Sequence, residues 1–131
     1  MKTLKNYFAI ATVISLLCLI LAIPAAVSEA SPVFNTRSVS FSSSMKSSMS
    51  ATTSIVCAKI SVTSVTLEKS SGGAWGFDKN LPCPSPMTNT DIYGAGMDYS
   101  SYCVKGNTYR IVVVFNADGV TASATSPGAT Y

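Results

Sequence analysis

The clearest alternation of hydrophobic and polar positions in this chain lies between Lys105 and Gly119. The odd-numbered positions from Tyr109 to Phe115 are aromatic or β-branched. The even-numbered positions between them are Arg110, Val112 and Val114. Successive side chains of a strand point to opposite faces. The segment is therefore predicted to be a central strand, apolar on both faces and covered by other strands.

A second strand is predicted from Ile60 to Lys69. Its hydrophobic positions change from even to odd numbers after Val62, and this one-residue slip at Thr63-Ser64 predicts a β-bulge. The glycines of Ser70-Ser71-Gly72-Gly73 predict a turn. Ala74-Trp75-Gly76-Phe77 then forms the second arm of a hairpin. Across the two strongest strands and this arm, we expect the core to be built from Leu67, Trp75, Tyr109, Ile111, Val113 and Phe115.

The remaining segments are less regular. Alternation from Arg37 through Ile55 favours two strands or one bent strand over a disordered serine-rich linker. Alternate prolines predict a loop over 78–90, and a short strand follows over 91–99. A polar edge strand is predicted over 120–131. No segment after residue 30 has helical periodicity.

These short strands, separated by turns, predict an all-β fold. Its simplest form is a small antiparallel β-sandwich of immunoglobulin-like type, preceded by an N-terminal signal helix. Tyr109 opens its strand just after Gly106, a position typical of a structural corner in which the tyrosine hydroxyl bonds to the backbone. Arg110, on the opposite face, is interpreted as a solvated or ion-paired surface residue.

Two motifs carry a resemblance to a known family. The first is Val65-Thr66-Leu67-Glu68-Lys69 followed by Gly73-Ala74-Trp75, and the second is Lys105-Gly106-Asn107-Thr108-Tyr109-Arg110 leading into the valine-rich strand. Together they resemble an uncharacterised family of small secreted β-sandwich proteins of Gram-positive bacteria, over residues 55–131. The resemblance implies an extracellular sandwich and transfers no catalytic residues. The Pro/Cys segment at 82–86 departs from the family pattern.

The first thirty residues have the layout of a secretory signal peptide. Lys2 and Lys5 precede an apolar run that ends at Pro24, and small residues follow. Cleavage is expected after Ala30, with Ser28 as the alternative. An uncleaved membrane anchor is the competing interpretation. The predicted organisation is a signal peptide over 1–30 and one β-sandwich domain over 31–131, secreted and free of the membrane.

Charge and cysteine content limit the function of the mature part. Removal of Lys2, Lys5 and Glu29 with the signal leaves seven of the nine basic and five of the six acidic residues, a net charge of +2. These charges are scattered, which argues against a nucleic-acid partner. In an exported protein a disulfide is expected between two of the three remaining cysteines, and three buried thiols are the alternative: Cys57, Cys83 and Cys103.

The chain has no histidine. Histidine-dependent nucleophile systems and the usual zinc sites are therefore excluded. Asp91 and Asp98 do not match a known calcium loop, and scattered acids in so small a domain do not favour a glycosidase. We therefore expect no enzyme activity, no catalytic residues, no metal and no cofactor.

Exposed aromatic residues are the remaining candidates for a site, because such rings stack on sugars or anchor proteins. Tyr93, Tyr99 and Tyr102 are the candidate surface for an unknown protein or a cell-surface glycan, and burial in the core is the alternative for these tyrosines. The favoured function is a secreted, non-enzymatic binding module at the cell surface. The alternatives are a small antibacterial or signalling protein and an envelope or spore-coat component. The segment from Leu81 to Tyr102 is the expected location of any functional site.

Overall fold

The chain folds around one strand of 26 residues, β2, which carries partner strands along both of its edges. The computed structural model describes residues 30–131, and the predicted signal peptide lies outside these residues except for Ala30. Seven strands and one short 3₁₀ helix follow one another as β1 (Phe34–Phe41), β2 (Lys46–Ser71), β3 (Ala74–Leu81), β4 (Met87–Asp98), the 3₁₀ turn (Ser100–Tyr102), β5 (Thr108–Ala117), β6 (Val120–Thr125) and β7 (Ala129–Thr130).

All strand pairs are antiparallel and belong to one curled sheet. The first half of β2 pairs with β1 on one edge and with β4 on the other. The second half pairs with β5 on one edge and with β3 on the other. β6 and β7 both pair with β5. The all-β class is confirmed, and Ser31–Tyr131 forms one compact unit.

Two phase changes in the sequence mark where β2 bends. Buried positions are odd-numbered up to Cys57, even-numbered at Ile60 and Val62, and odd-numbered again from Val65. The register between β2 and β5 shifts between Val62 and Ser64, which confirms the predicted β-bulge. A bulge bends a strand and increases its twist, so one strand contributes to both halves of the sheet.

The turn between β5 and β6 is tied to the first of these phase changes. Asp118 and Gly119 both have positive φ, 47° and 92°, as a two-residue type I′ hairpin requires. The Asp118 carboxylate accepts the backbone N–H groups of Ala58 and Lys59, at 2.9 and 3.0 Å. The turn therefore holds β2 in place between Cys57 and Ile60.

The two halves of the sheet share one core. The ring of Phe115 in β5 lies 6.3 Å from Phe34 of β1 and 6.1 Å from Tyr93 of β4, centroid to centroid. Five of the six predicted core residues are buried: Leu67, Tyr109, Ile111, Val113 and Phe115. The sixth, Trp75, is only half-buried and lies outside the core cluster.

The predicted corner at Tyr109 is confirmed. Its hydroxyl accepts the backbone N–H of Val104 at 3.0 Å and the side-chain amide of Asn107 at 3.3 Å. These bonds tie the segment before β5 to the start of the strand.

The predicted loop over 78–90 was too long. β3 continues to Leu81 and β4 begins at Met87, so only 82–86 is without strand pairing. A proline lacks the backbone N–H donor and restricts the backbone of the residue before it. Residues farther from the three prolines form ordinary strand hydrogen bonds with β2. For the segment from Arg37 to Ile55, two strands or one bent strand were the two predictions. A turn over 42–45 separates β1 from β2, so the first of these predictions is confirmed.

Candidate binding surface

Two of the three tyrosines predicted for a surface are in the core. Tyr93 is 1% exposed and Tyr99 is 0% exposed, while Tyr102 is 38% exposed. Both buried hydroxyls are satisfied by backbone carbonyls of residues 82–86, which we call the proline segment: Tyr99 donates to Pro82 at 2.7 Å and Tyr93 to Ser85 at 3.0 Å. The three tyrosines therefore do not form one exposed surface.

Burial also changes the acidity of these two phenols. It raises the pKa of Tyr93 and raises the pKa of Tyr99 much further, because the charged phenolate is poorly solvated there. The nearby Cys83 thiol adds to the rise in pKa of both. Their role is to support the fold beneath the proline segment.

The three cysteines do not show the predicted disulfide. Cys57, Cys83 and Cys103 are free thiols, respectively buried, exposed and half-buried. The Cys57 sulfur lies 3.5 Å from both the Thr53 hydroxyl and the Ile55 carbonyl. Desolvation raises the pKa of Cys83 and of Cys103, so neither is an activated thiolate.

Trp75 lies on the outer face of the second half of the sheet, contrary to the core prediction. The Arg110 guanidinium carbon is 4.6 Å from the centre of the Trp75 ring, within cation–π range. On another side, a Cβ atom at Gly128 would lie 2.9 Å from the indole, so Gly128 gives the ring room. Trp75 was predicted as core because sandwiches often bury one tryptophan, but its alternation places it with Arg110.

An ion pair fixes the orientation of Arg110. Its Nε and Nη2 both donate to Oε2 of Glu68, at 2.9 and 2.8 Å. Glu68 and Arg110 are direct partners in the β2–β5 register, and Phe77 is the partner of Glu68 on β3. The ion pair confirms the prediction that Arg110 is an ion-paired residue. It places two charged side chains, Glu68 and Arg110, beside the rings of Trp75 and Phe77.

The hairpin groove, as we call it, lies beside these rings and has a volume of about 310 Å³. Phe77 is 69% exposed, the largest exposed fraction among the exposed large hydrophobic residues of the part described. Lys69 and Asp78 add one charge of each sign. The groove is lined by Lys69, Ser71, Ala74, Trp75, Gly76, Phe77 and Asp78.

The arrangement is suited to binding. Within residues 30–131 no group of three metal-ligating side chains is found. Of the carboxylates, Glu68 is paired with Arg110 and Asp118 is bonded to the backbone. Hydrogen bonds from the side chain and then from the backbone N–H of Ser100 lower the pKa of Asp98. Two aromatic rings with a lysine and an aspartate beside them offer stacking and hydrogen bonding.

Sequence reasoning missed Phe77 as a surface residue. Trp75 and Phe77 occupy alternate positions of one strand, and their register partners on β2 are Ser70 and the charged Glu68. A polar partner row indicates a solvent-facing side of the sheet. That alternation was available in the sequence, but it becomes decisive only when the register is known.

No helix within residues 30–131 is long and apolar enough to cross a membrane. Comparison of the chain with models of known protein families, with curated proteins and with solved structures gave no match.

Proposed function

We propose that the mature chain is a secreted, non-enzymatic binding module that recognises a protein or glycan of the cell surface through the hairpin groove. One observation carries the proposal: Phe77 is 69% exposed beside Trp75, in a groove flanked by Lys69 and Asp78. Water contact by so large an apolar ring is unfavourable, and a bound ligand would relieve it.

Secretion is supported by the layout of the first thirty residues, with its basic start, apolar run and small residues before the first strand. We further propose that the curled sheet is a sandwich of immunoglobulin-like type. The Tyr109 corner and the packing of Phe115 against β1 and β4 support this. The resemblance of the two sequence motifs, Val65–Lys69 with Gly73–Trp75 and Lys105–Arg110, supports membership of the family of small secreted Gram-positive proteins.

The rigid ion pair supports binding at this face. Because Glu68 holds Arg110 over one side of Trp75, the indole is ordered before a ligand arrives. An ordered aromatic platform loses little conformational entropy on binding. The groove is therefore preorganised at Trp75, and Phe77 supplies the freely exposed ring.

The test is retention of the secreted protein on isolated cell envelopes of its own source. Phe77→Ser should weaken retention about tenfold to a hundredfold, because burying a phenylalanine side chain contributes about 1.5–3 kcal/mol. The matched control is Ile92→Ser, which removes a ring-free apolar side chain that is 59% exposed on β4. Equal retention of wild type and Phe77→Ser, or no retention of either, would count against the proposal.

A further inference from the structure

The charges of the folded part are unevenly distributed between the two halves of the sheet. Residues 30–131 carry seven of the nine basic and five of the six acidic residues of the chain, a net charge of +2. In the first half, Lys46 and Asp98 are direct register partners. The Asp118 carboxylate is bonded to the backbone of Lys59 in the same half. The basic and acidic residues of this half are equal in number, so their charges cancel: Arg37, Lys46, Lys59, Asp91, Asp98 and Asp118.

The whole excess of positive charge therefore lies in the second half, and both acidic residues there are in ion pairs. The Arg110 guanidinium binds the Glu68 carboxylate at 2.8 Å. The Lys79 ammonium lies 3.7 Å from the Asp78 carboxylate. In the part of the chain that the structure describes, two lysines of this half have no ion-pair partner. They are Lys69 and Lys105.

Both of these lysines lie at the end of the sheet where the β2–β3 hairpin turns. Lys69 lines the hairpin groove itself. Its register partner on β5 is Tyr109, so the residues just before Tyr109, Lys105 among them, lie at the same end. The Lys105 ammonium is 5.8 Å from the centre of the Tyr131 ring. The groove thus combines two aromatic rings with a positive charge that no carboxylate neutralises.

An unneutralised lysine in a binding groove selects for a negatively charged ligand. The lysine ammonium is a compact point charge that donates strong hydrogen bonds to carboxylate and phosphate oxygens. Charge complementarity also disfavours the wrong partners, because like charges repel. The charge of Lys69 therefore predicts carboxylate or phosphate groups on the ligand.

The apolar part of the groove consists of two rings, Trp75 and Phe77. The residues that line it include no leucine, isoleucine, valine or methionine. Anchor residues at protein interfaces lie in packed, desolvated pockets, whereas Phe77 is 69% exposed on an open surface. A sugar ring needs only an aromatic face for its C–H groups and polar side chains at the rim. The groove therefore fits a glycan better than a protein.

We propose that the hairpin groove binds an anionic glycan, with Lys69 on its carboxylate or phosphate group and Trp75 and Phe77 on its sugar rings. This inference rests on the proposed function of the groove and names the chemical class of its ligand. A volume of about 310 Å³ is small for a ligand site, so the groove holds a short segment of the polymer. Two unpaired lysines are too few for the clustered basic face of a nucleic-acid-binding protein.

The test is retention of the secreted protein on envelopes of its own source that have been digested with protease and nuclease. Retention should survive the digestion. It should fall as sodium chloride rises from about 0.05 to about 0.5 M, because salt screens exposed charges. Amidation of the envelope carboxylates, or cleavage of the envelope phosphodiesters with hydrofluoric acid, should abolish retention. The treatment that does so identifies the anionic group.

Three charge variants locate the contact. Lys69→Gln should weaken retention about fivefold, because it removes one exposed charge contact. Asp78→Asn should strengthen retention about twofold, because it releases Lys79 from its ion pair. The matched control is Lys59→Gln, which makes the same change in net charge at an exposed residue of the first half. It should stay within about twofold of wild type, because distant exposed charges are screened.

Three results would each overturn the inference. They are equal retention of Lys69→Gln and wild type, loss of retention after digestion with protease or nuclease, and retention that neither chemical treatment reduces. Phe77→Ser separates the inference from the proposed function. If Phe77→Ser lowers retention and Lys69→Gln does not, the groove binds a ligand of another class and only the inference fails. If Phe77→Ser is retained like wild type, the proposed function fails as well.

Discussion

At the residue scale, Tyr93 and Tyr99 show how an apparently exposed aromatic residue is taken into the core. Both belong to a glycine-containing stretch that the sequence marks as irregular, yet both are among the largest fully buried side chains. A buried tyrosine needs a partner for its hydroxyl. The carbonyls of the proline segment provide it, because the prolines prevent strand pairing there.

The raised pKa of these phenols predicts alkaline sensitivity. An unfolded tyrosine loses its proton near pH 10, while folded Tyr99, with its raised pKa, keeps it to higher pH. Above about pH 10 the unfolded state therefore binds fewer protons than the folded state. The stability contribution is complete below that pH and is lost as the pH rises.

Tyr99→Phe should make the free energy of unfolding less dependent on pH above about pH 10, as measured by urea unfolding at a series of pH values. At neutral pH it should cost about 0.5–1.5 kcal/mol, for the lost bond to Pro82. Tyr102→Phe, at an exposed ring, is the control. An unchanged slope for Tyr99→Phe would show that this phenol does not titrate as its burial requires.

At the element scale, β2 is the feature that needs explanation. A strand of 26 residues is far longer than the usual 3–10 residues, and it serves two halves of a curled sheet because its phase changes twice. Asp118 acts where the first change occurs, by accepting two backbone N–H groups of β2 from the turn of another hairpin.

Asp118→Asn should destabilise the protein by about 1 kcal/mol, because asparagine keeps the positive φ of the turn but replaces a two-oxygen acceptor by one oxygen. The measurement is the urea midpoint at constant slope. Asp91→Asn makes the same chemical change at another position of the sheet and should shift the free energy of unfolding by less than about 0.5 kcal/mol. Equal effects of the two changes would remove the role given to Asp118.

At the scale of the whole molecule, Phe115 joins the two halves of the sheet. It is fully buried and contacts an aromatic ring from β1 and another from β4. Phe115→Ala should cost about 3–5 kcal/mol, and the loss should appear as one cooperative transition. Phe77→Ala is the same change at an exposed ring and should fall within about 0.5 kcal/mol of wild type.

Thermal or urea unfolding followed both by Trp75 fluorescence and by far-ultraviolet circular dichroism checks this. Two separate transitions in wild type would mean that the halves do not share a core. Similar losses for the two alanine variants would contradict the burial of Phe115 or the exposure of Phe77.

Local chemistry was enough to predict the all-β class, the bulge after Val62, the Gly72-Gly73 turn and the corner at Tyr109. Each depends on alternation, on positive φ or on residues close in the chain. The same reasoning placed Leu67 and the odd-numbered face of β5 in the core. These positions carry large apolar side chains on one face of their strands.

The sequence by itself determined the strands and turns outside the segment 78–90, because backbone preferences and alternating polarity are local. Only the tertiary structure decided which aromatic and thiol side chains outside the two strongest strands are covered. It moved Tyr93 and Tyr99 inward, left the three thiols free and turned Trp75 outward with Phe77. That choice depends on how β2 curls and which strands lie along its edges, and those contacts join residues far apart in the chain.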